Sequence, residues 1–112
     1  MEASRRGNLA TVRVLLSKNA NPNARESNGG QNALMWAVSQ RQSAVVEELI
    51  THGADVQAGS KTGFTPLMFA AQQGDQDSAR ILLRAGAKPN DAQPKTGLTA
   101  LMIASAMIWA AR

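Results

Sequence analysis

The stretch Gly63-Phe64-Thr65-Pro66-Leu67-Met68-Phe69-Ala70 decides the fold of this chain, because related stretches recur at a nearly constant spacing. One of them, Gly30-Gln31-Asn32-Ala33-Leu34-Met35-Trp36-Ala37, lies 33 residues earlier, and another, Gly97-Leu98-Thr99-Ala100-Leu101-Met102-Ile103-Ala104, lies 34 residues later. Apolar pairs follow in the same register at Leu15-Leu16, Leu49-Ile50 and Leu82-Leu83. Self-similarity at a period of roughly 20–50 residues indicates a repeat architecture.

The third unit predicts a turn followed by a helix. Lys61-Thr62-Gly63 is predicted to form the turn, because glycine reaches a positive φ without strain. Thr65 is predicted to cap a helix over Pro66–Gln73, since its hydroxyl can accept from a first-turn amide and proline is harmless at the first helical position. Gly74 is predicted to end this helix in the left-handed conformation.

A second helix is predicted from about Asp77 to Ala85. Asp75 and Asp77 both remain candidates for its first residue, because a short acidic side chain caps a helix N-terminus well. Gly86 is predicted to close it as Gly74 closes the first. Each unit is therefore a turn plus two short helices.

The Thr65-Pro66-Leu67 core and the period near 33 residues resemble the ankyrin repeat. The sequences of residues Ala33–Ala37, Ser60–Leu67 and Gly74–Arg80 are similar to those of a bacterial subset of these proteins. In that subset the usual Leu-His is replaced by Leu-Met or Leu-Leu, as in Leu67-Met68. The resemblance implies one all-α domain over residues 1–112, an α-solenoid of stacked helix-turn-helix repeats with short β-turn or hairpin loops. Its units would be a partial repeat 1–29, repeats 30–62 and 63–96, and a partial terminal repeat 97–112.

Apolar residues at equivalent positions of each unit are expected to pack against the neighbouring units. They are Leu67, Ala70, Ala71, Ala79, Leu82 and Leu83 in the third unit, Leu34, Ala37, Val38, Val46, Leu49 and Ile50 in the second, and Ala3, Val12, Leu15 and Leu16 in the first.

Both ends depart from the repeat pattern. The first unit lacks its turn and most of its first helix, and it is complete only from Gly7, which matches Gly74. At the other end Ile108 takes the place of Gly74, and a β-branched residue disfavours the left-handed conformation. A straight helix is therefore predicted from Thr99 to about Ala111, with no second helix after it.

Apolar residues near this open end include Met102, Met107, Ile108 and Trp109. Solenoids normally finish with a repeat whose outer face is polar, so these side chains need cover. Either the straight helix lies over the last full unit as a cap, or two chains form a homodimer by burying their open ends against each other. We favour the cap and hence a monomer.

Two loops carry one residue more than the strict period, in Arg25–Gly29 and in Ala92–Thr96. Insertions in a solenoid tend to lie on one face, often the binding face. Tolerated drift explains them equally well, because loop length costs little free energy. Both interpretations remain open.

The composition argues against several classes of function. Twelve Lys and Arg against eight Asp and Glu give a net charge of +4, but the basic residues are scattered, with only Arg5-Arg6 adjacent, which argues against nucleic-acid binding. The chain has no cysteine, and no apolar run approaches the roughly 18 residues of a membrane span. No signal-like segment follows Met1–Arg6, and no compartment is assigned.

No motif predicts catalysis, a metal or a cofactor. His52 has no cysteine partner or second histidine and is expected to lie at a helix C-terminus. Glu47-Glu48 and Asp75-Gln76-Asp77 are expected to form solvated faces and helix starts, since the latter lacks the glycine and glutamate of a calcium loop. Gly29-Gly30 is expected to be a turn, without a phosphate-binding pattern. The chain is thus predicted to be no enzyme.

The resemblance implies a protein partner in the concave groove formed by turn tips and first helices. The matching positions are Arg5, Arg6, Ser27, Asn28, Gln31, Ser39, Gln40, Lys61, Thr62, Phe64, Gln72, Gln73, Lys95, Thr96 and Leu98. Phe64 is either an interface anchor or packed against the neighbouring turn. Trp36 and Phe69 share one register, where we favour packing over partner binding. The alternative function is a structural or regulatory spacer in a larger protein, such as a secreted bacterial one.

Overall fold

The computed structural model describes the backbone of residues 2–110 and the side chains of residues 8–108. Within that part of the chain there are six helices and no strand: α1 (Glu2–Ser17), α2 (Ala33–Ser39), α3 (Ser43–Thr51), α4 (Pro66–Gln73), α5 (Gln76–Arg84) and α6 (Ala100–Ala110). Helix α4 packs between α2 and α6 in a first layer, and α3 packs between α1 and α5 in a second layer. This two-layer stack is the predicted α-solenoid.

Local chemistry sets the bounds of α4, which are those predicted. The Thr65 hydroxyl oxygen accepts from the backbone N–H of Met68 at 3.3 Å, and Pro66 fills the first helical position. Gly74 ends the helix with φ 64°, in the left-handed region that favours glycine.

Helix α5 begins at Gln76 and ends at Arg84, one residue earlier at each end than predicted. Asp75 is its N-cap: the carboxylate accepts from the backbone N–H of Ser78 at 3.2 Å and from the Ser78 hydroxyl at 2.6 Å. Gly86 follows with φ 100°. Of the two candidates, Asp75 is therefore the residue that caps the start of α5. Its side chain is buried, whereas Asp77 is exposed.

The core lies between the two layers and consists largely of the predicted positions. Leu34, Val38, Val46 and Leu82 are each 0% exposed, and Leu67 and Ala70 lie with them in one cluster. Val12, Ile50, Ala71 and Ala79 pack against this cluster and are partly buried. Ala3 lies outside the described side chains.

Two members of the predicted packing set are wrong, because Leu15 and Leu83 are 54% and 44% exposed. Leu49, at the register of Leu15, is buried where α2 packs on α3, whereas no described first-layer helix of the same unit packs on α1. Leu16 and Ile50 lie on helices that pack against a following second-layer helix, and they are buried and half-buried, while Leu83 stands on α5, the last described helix of that layer.

Helix α1 runs without interruption from Glu2 to Ser17 and passes through Gly7, which has the register of Gly74. A helical glycine costs only about 0.5–1 kcal/mol relative to alanine.

The terminal helix is straight, as predicted. Thr99 accepts from the N–H of Met102 at 3.4 Å, and α6 then runs through Ile108 to Ala110. It packs on α4 and buries Ala100 and Ile103, so it does lie over the last full unit. The predicted end at Ala111 and the side chain of Trp109 fall outside the described part, and the oligomeric state stays a prediction.

Candidate interaction surface

Each repeat presents a turn closed by one backbone hydrogen bond. The bonded pairs are Glu26 N–H to Gln31 O at 2.9 Å, Ser60 N–H to Phe64 O at 2.9 Å, and Gln93 N–H to Leu98 O at 2.8 Å. The first and third turns contain one residue more than the second, as the sequence spacing predicts. We name these three segments, residues 26–31, 60–64 and 93–98, the turn tips.

A polar side chain organises each of the two wider turn tips. The Glu26 carboxylate accepts from the backbone N–H groups of Asn28 at 2.8 Å, Gly29 at 2.7 Å and Gln31 at 3.0 Å. These hydrogen bonds, led by that from Gln31, hold the pKa of Glu26 below its ordinary value because they favour the charged form. The additional residue thus makes room for an acceptor inside the turn.

The third turn tip uses an amide in the same role. The Gln93 side-chain oxygen accepts from the backbone N–H of Thr96 at 2.9 Å and also from the Thr96 hydroxyl. Gln93 is buried, with 7% of its surface exposed. Both wider turns therefore have fixed internal hydrogen bonding.

Adjacent turn tips are also bonded to one another. The Lys61 N–H donates to Gly29 O at 2.9 Å, and the Lys61 ammonium donates to the carbonyl oxygen of Ser27. One repeat further on, the Gln93 amide donates to Thr62 O at 2.6 Å. The three turn tips form a continuous hydrogen-bonded ladder along one edge of the molecule.

The predicted partner-binding positions divide by exposure. Nine are exposed: Ser27, Asn28, Gln40, Lys61, Thr62, Gln72, Lys95, Thr96 and Leu98. Four are half-buried: Gln31, Ser39, Phe64 and Gln73. The side chains of Arg5 and Arg6 lie outside the described part. The turn ladder brings the residues of the three tips together on one edge.

Gln72 and Gln73 lie apart from the tips, beside a groove between α4 and α6. This open groove has a volume of about 550 Å³, and its apolar wall is formed by Ala71, Ala104 and Met107. It has the chemistry to receive an apolar side chain flanked by amides.

Phe64 makes an internal contact. Its ring meets that of Phe69 edge to face, with centroids 5.1 Å apart and planes at 63°. The contact joins a turn tip to the helix of its own repeat, and it leaves Phe64 half-buried.

Trp36 is a surface residue that the sequence interpretation missed. Packing was predicted for both members of the aromatic register, and it holds for Phe69, which packs against the core. Trp36 is 53% exposed because α2 is the first described helix of its layer. The exposure of Trp36 could have been predicted from the sequence, because Trp36 lies in the second unit and the sequence of the first unit lacks most of its first helix.

His52 and Asp75, whose side chains are of types used in catalysis and metal binding, are helix caps. His52 caps the C-terminus of α3, and its Nδ1 lies 3.0 Å from the carbonyl oxygen of Glu48. Asp75 caps α5. No group of three or more histidines and carboxylates within the described residues is arranged to hold a metal ion, and none of the six helices is long and apolar enough to cross a membrane.

A comparison with protein families gives a match over most of the chain. The family model described as ankyrin repeats (3 copies) matches residues 1–93 and 61–108. The two matches overlap in the third unit and together include α1 to α5 and α6 as far as residue 108.

Similar proteins come from bacteria and animals. An ankyrin repeat-containing protein of Treponema pallidum (strain Nichols) is 35% identical over 99 residues, which are 88% of this chain and 33% of that protein. The nuclear factor NF-kappa-B p105 subunit of Gallus gallus is 35% identical over 83 residues, 73% of this chain and 8% of that protein. The 2-5A-dependent ribonuclease of Homo sapiens is 41% identical over 63 residues, 56% of this chain and 8% of that protein. The chain spans a third or less of each.

Proposed function

The chain belongs to the ankyrin repeat family, whose members generally serve as protein interaction modules, and from this premise we propose that it binds a segment of a partner protein along its turn tips and in the α4–α6 groove at the far end of the first-layer helices. Ankyrin repeats are typically not catalytic. The proposal therefore assigns no reaction to the chain.

The turn ladder is the observation that carries the proposal. Because Lys61 is bonded to Gly29, and Gln93 to Thr62, the backbones of the three turn tips are held in fixed relative positions before any partner arrives. A surface that is already ordered loses less conformational entropy on binding. The ladder thus supports recognition by the turn tips.

The charges of the ladder favour an acidic or polar segment. Lys61 and Lys95 are exposed on the second and third tips, and the Lys61 ammonium also donates to the Ser27 carbonyl oxygen within the ladder. The negative charge of the Glu26 carboxylate in the first tip is partly balanced by the three backbone N–H groups from which it accepts and by Lys61. The hydroxyl groups of Thr62 and Thr96, together with amide groups, supply further hydrogen-bond donors and acceptors.

The α4–α6 groove supplies the apolar part of the surface. Ala104 and Met107 form its wall, and the amides of Gln72 and Gln73 lie beside it. A partner residue such as leucine or methionine, placed near an acidic stretch, fits this combination. We propose a protein ligand rather than nucleic acid, because two separated lysines give only a weak phosphate-binding surface.

A library of random peptides displayed on phage, selected against the 112-residue chain, tests the proposal. Selected peptides should carry acidic residues beside an apolar one, and Lys95→Glu combined with Gln72→Glu should weaken their binding by at least about tenfold, as measured by calorimetry. Arg84→Glu combined with Gln76→Glu, an equal change of charge at exposed positions of α5, is the matched control and should leave binding unchanged. Peptides insensitive to the double change, or sensitive to the control, would contradict the proposed surface.

A role as a structural or regulatory spacer is the second candidate. It is favoured by the relatives, in each of which the matched segment is a third or less of the protein. A spacer predicts that the same selection yields no peptide whose binding depends on the turn tips.

A further inference from the structure

We propose that the first turn tip carries a self-modification site, at which the backbone nitrogen of Gly29 attacks the side-chain amide of Asn28, and that the Glu26 carboxylate holds this reaction back. The product is aspartate or isoaspartate at position 28. The reaction takes place within one turn and consumes only water.

Asn28 is the asparagine of this chain that is followed by glycine. A side chain on the following residue hinders the approach of its nitrogen to the asparagine amide, whereas glycine has no Cβ and reaches the required backbone conformations readily. Asn28 is also exposed, so water can reach the reacting groups. The other six asparagines are followed by larger residues, in Asn8-Leu9, Asn19-Ala20, Asn21-Pro22, Asn23-Ala24, Asn32-Ala33 and Asn90-Asp91.

The modification consists of two steps. In the first, the Gly29 nitrogen forms a bond to the side-chain carbonyl carbon of Asn28, and the side-chain nitrogen leaves as ammonia together with the proton that Gly29 loses. A cyclic succinimide results. In the second, water opens this ring at one of its two carbonyl carbons and gives aspartate or isoaspartate, in which the main chain runs through the former side-chain carbon.

Glu26 holds the nitrogen that must attack. The Gly29 N–H donates to Oε1 of Glu26 at 2.7 Å, and the Asn28 N–H donates to Oε2 at 2.8 Å. Glu26 is ionised at neutral pH, because the backbone hydrogen bonds from Gln31 and Asn28 keep its pKa below the ordinary value. A hydrogen bond to an ionised acceptor is stronger than one between neutral groups, and this one must break before the Gly29 nitrogen can turn to the side chain.

The carboxylate restrains the reaction instead of promoting it. Attack requires the Gly29 nitrogen to give up its proton, and a carboxylate is far too weak a base to take a proton from a backbone amide. The negative charge of Glu26 also opposes the negative charge that develops on the nitrogen as the proton leaves. Loss of the carboxylate should therefore accelerate the modification.

The turn ladder adds a second restraint. The Gly29 carbonyl oxygen accepts from the Lys61 N–H at 2.9 Å, so Gly29 is bonded on one side to its own turn and on the other side to the next repeat. Ring formation rotates the peptide group between Asn28 and Gly29 and so disturbs both contacts. The folded chain should therefore react more slowly than the unfolded chain.

The third turn tip contains the same hydrogen bond without the reactive residue. There the Thr96 N–H, at the register of the Gly29 N–H, donates to the Gln93 side-chain oxygen at 2.9 Å. Lys95 stands at the register of Asn28, and its side chain has no amide to lose. The wider turn therefore forms without an asparagine at this register.

The product would change the first turn tip in charge and in shape. Aspartate at position 28 would place a second carboxylate beside that of Glu26. Isoaspartate would lengthen the main chain just before Gly29 and shift it relative to Glu26 and Lys61. An acidic partner segment should then bind more weakly, and this consequence rests on the proposed function, whereas the modification itself does not.

Peptide mapping by mass spectrometry, after incubation in mildly alkaline buffer, measures the reaction at each asparagine. In the wild-type chain Asn28 should react first, and more slowly than in the same chain unfolded in urea. Glu26→Ala should raise the rate at Asn28 by at least about tenfold, the factor expected for loss of a hydrogen bond to a charged group. Glu26→Gln, which keeps an acceptor without the charge, should give an intermediate rate. Glu47→Ala, at an exposed glutamate of α3, is the matched control and should react like the wild type.

A further variant separates the chemistry from a loosened turn. The φ of Gly29 lies outside the left-handed region, so alanine fits its backbone, and the Glu26 oxygen that lies 3.1 Å from an added Cβ is absent in Glu26→Ala. Glu26→Ala combined with Gly29→Ala should therefore lose most of the acceleration. Circular dichroism checks that each variant is folded.

Four results would overturn the proposal. They are equal rates at Asn28 in the wild type and in the folded Glu26 variants, equal rates in the folded and the urea-unfolded wild type, an acceleration that survives Gly29→Ala, and an earlier reaction at another asparagine. Absence of any reaction counts as equal rates.

Peptide binding tests the consequence separately. Asn28→Asp should weaken the binding of a selected acidic peptide by about threefold, whereas Gln76→Glu, an equal change of charge at an exposed position of α5, should leave it unchanged. Equal affinities of Asn28→Asp and the wild type would contradict a role of the first turn tip in binding. The rates measured by peptide mapping would still decide whether the modification site exists.

Discussion

The backbone N–H of Lys61 donates to the carbonyl oxygen of Gly29 at 2.9 Å, so the turn of one repeat is held directly by the turn before it. The contact between these turns is close, since a Cβ added at Gly30 would lie 3.0 Å from Cγ of Lys61. The turn tips are therefore part of the packed structure.

Gly63→Ala should destabilise the chain more than Gly74→Ala. Both glycines have a left-handed φ, 82° and 64°, which costs a residue with a Cβ about 1–2 kcal/mol. A Cβ at Gly63 would also overlap the ring of Pro94 in the next turn, whereas nothing lies within 4 Å of one at Gly74. Urea unfolding of both variants measures the difference, and equal losses would show that the second and third turns do not touch.

Leu82→Ala should cost about 2–5 kcal/mol of unfolding free energy, because it removes a fully buried side chain from the middle of the stack. Leu83→Ala, one residue later and 44% exposed, should cost less than about 1 kcal/mol. Thermal and urea unfolding of the pair check the register of α5. The reverse order would mean that the helix is rotated from the position described.

Asp75→Ala should lower the unfolding free energy by about 1–3 kcal/mol, since it removes the buried N-cap of α5 and leaves the Ser78 hydroxyl without its acceptor. Asp75→Asn should recover only the part of this loss that comes from the backbone cap, because the asparagine oxygen caps nearly as well but its NH2 group cannot accept from the Ser78 hydroxyl. Asp77→Ala, at an exposed first-turn position, serves as the control. If Asp75→Ala unfolded at the same urea concentration as the control, the assigned cap would be wrong.

Acid should weaken the first turn through Glu26. Its folded-state pKa lies below the ordinary 4.5, so its contribution to stability is present above pH 4.5 and is lost as the pH falls through the lowered folded-state pKa. Glu26→Gln should therefore reduce the loss of stability below pH 4.5, with the exposed Glu47→Gln as control. Unfolding free energies measured along a pH series test this, and parallel curves for Glu26→Gln and the wild type would contradict it.

Features that depend on one residue and its nearest neighbours in the chain could be predicted from the sequence. The Thr65 cap, the left-handed Gly74 and the straight helix through Ile108 all follow from local backbone chemistry, and the structure has each of them. The wider first and third turns also follow from residue spacing alone.

Features that depend on neighbouring repeats could not be predicted in this way. Leu15, Leu83 and Trp36 have the residue types of packed positions, but each is exposed because none of the described helices covers it. The hydrogen bonds of Glu26 and Gln93 were also missed, since periodicity does not indicate which polar side chain folds into its own turn. A repeat pattern predicts the burial that a position has on average over the repeats, and positions in the end repeats depart from that average.

The turn tips and the α4–α6 groove are proposed to form one partner-binding surface. Two-dimensional NMR of the labelled chain, titrated with a peptide selected by phage display, tests this most directly. The predicted result is that the amide signals of Lys61, Thr62, Thr96 and Gln72 shift together, while those of α3 and α5 stay in place. Shifts confined to α3 and α5, with the turn-tip signals unmoved, would contradict the account.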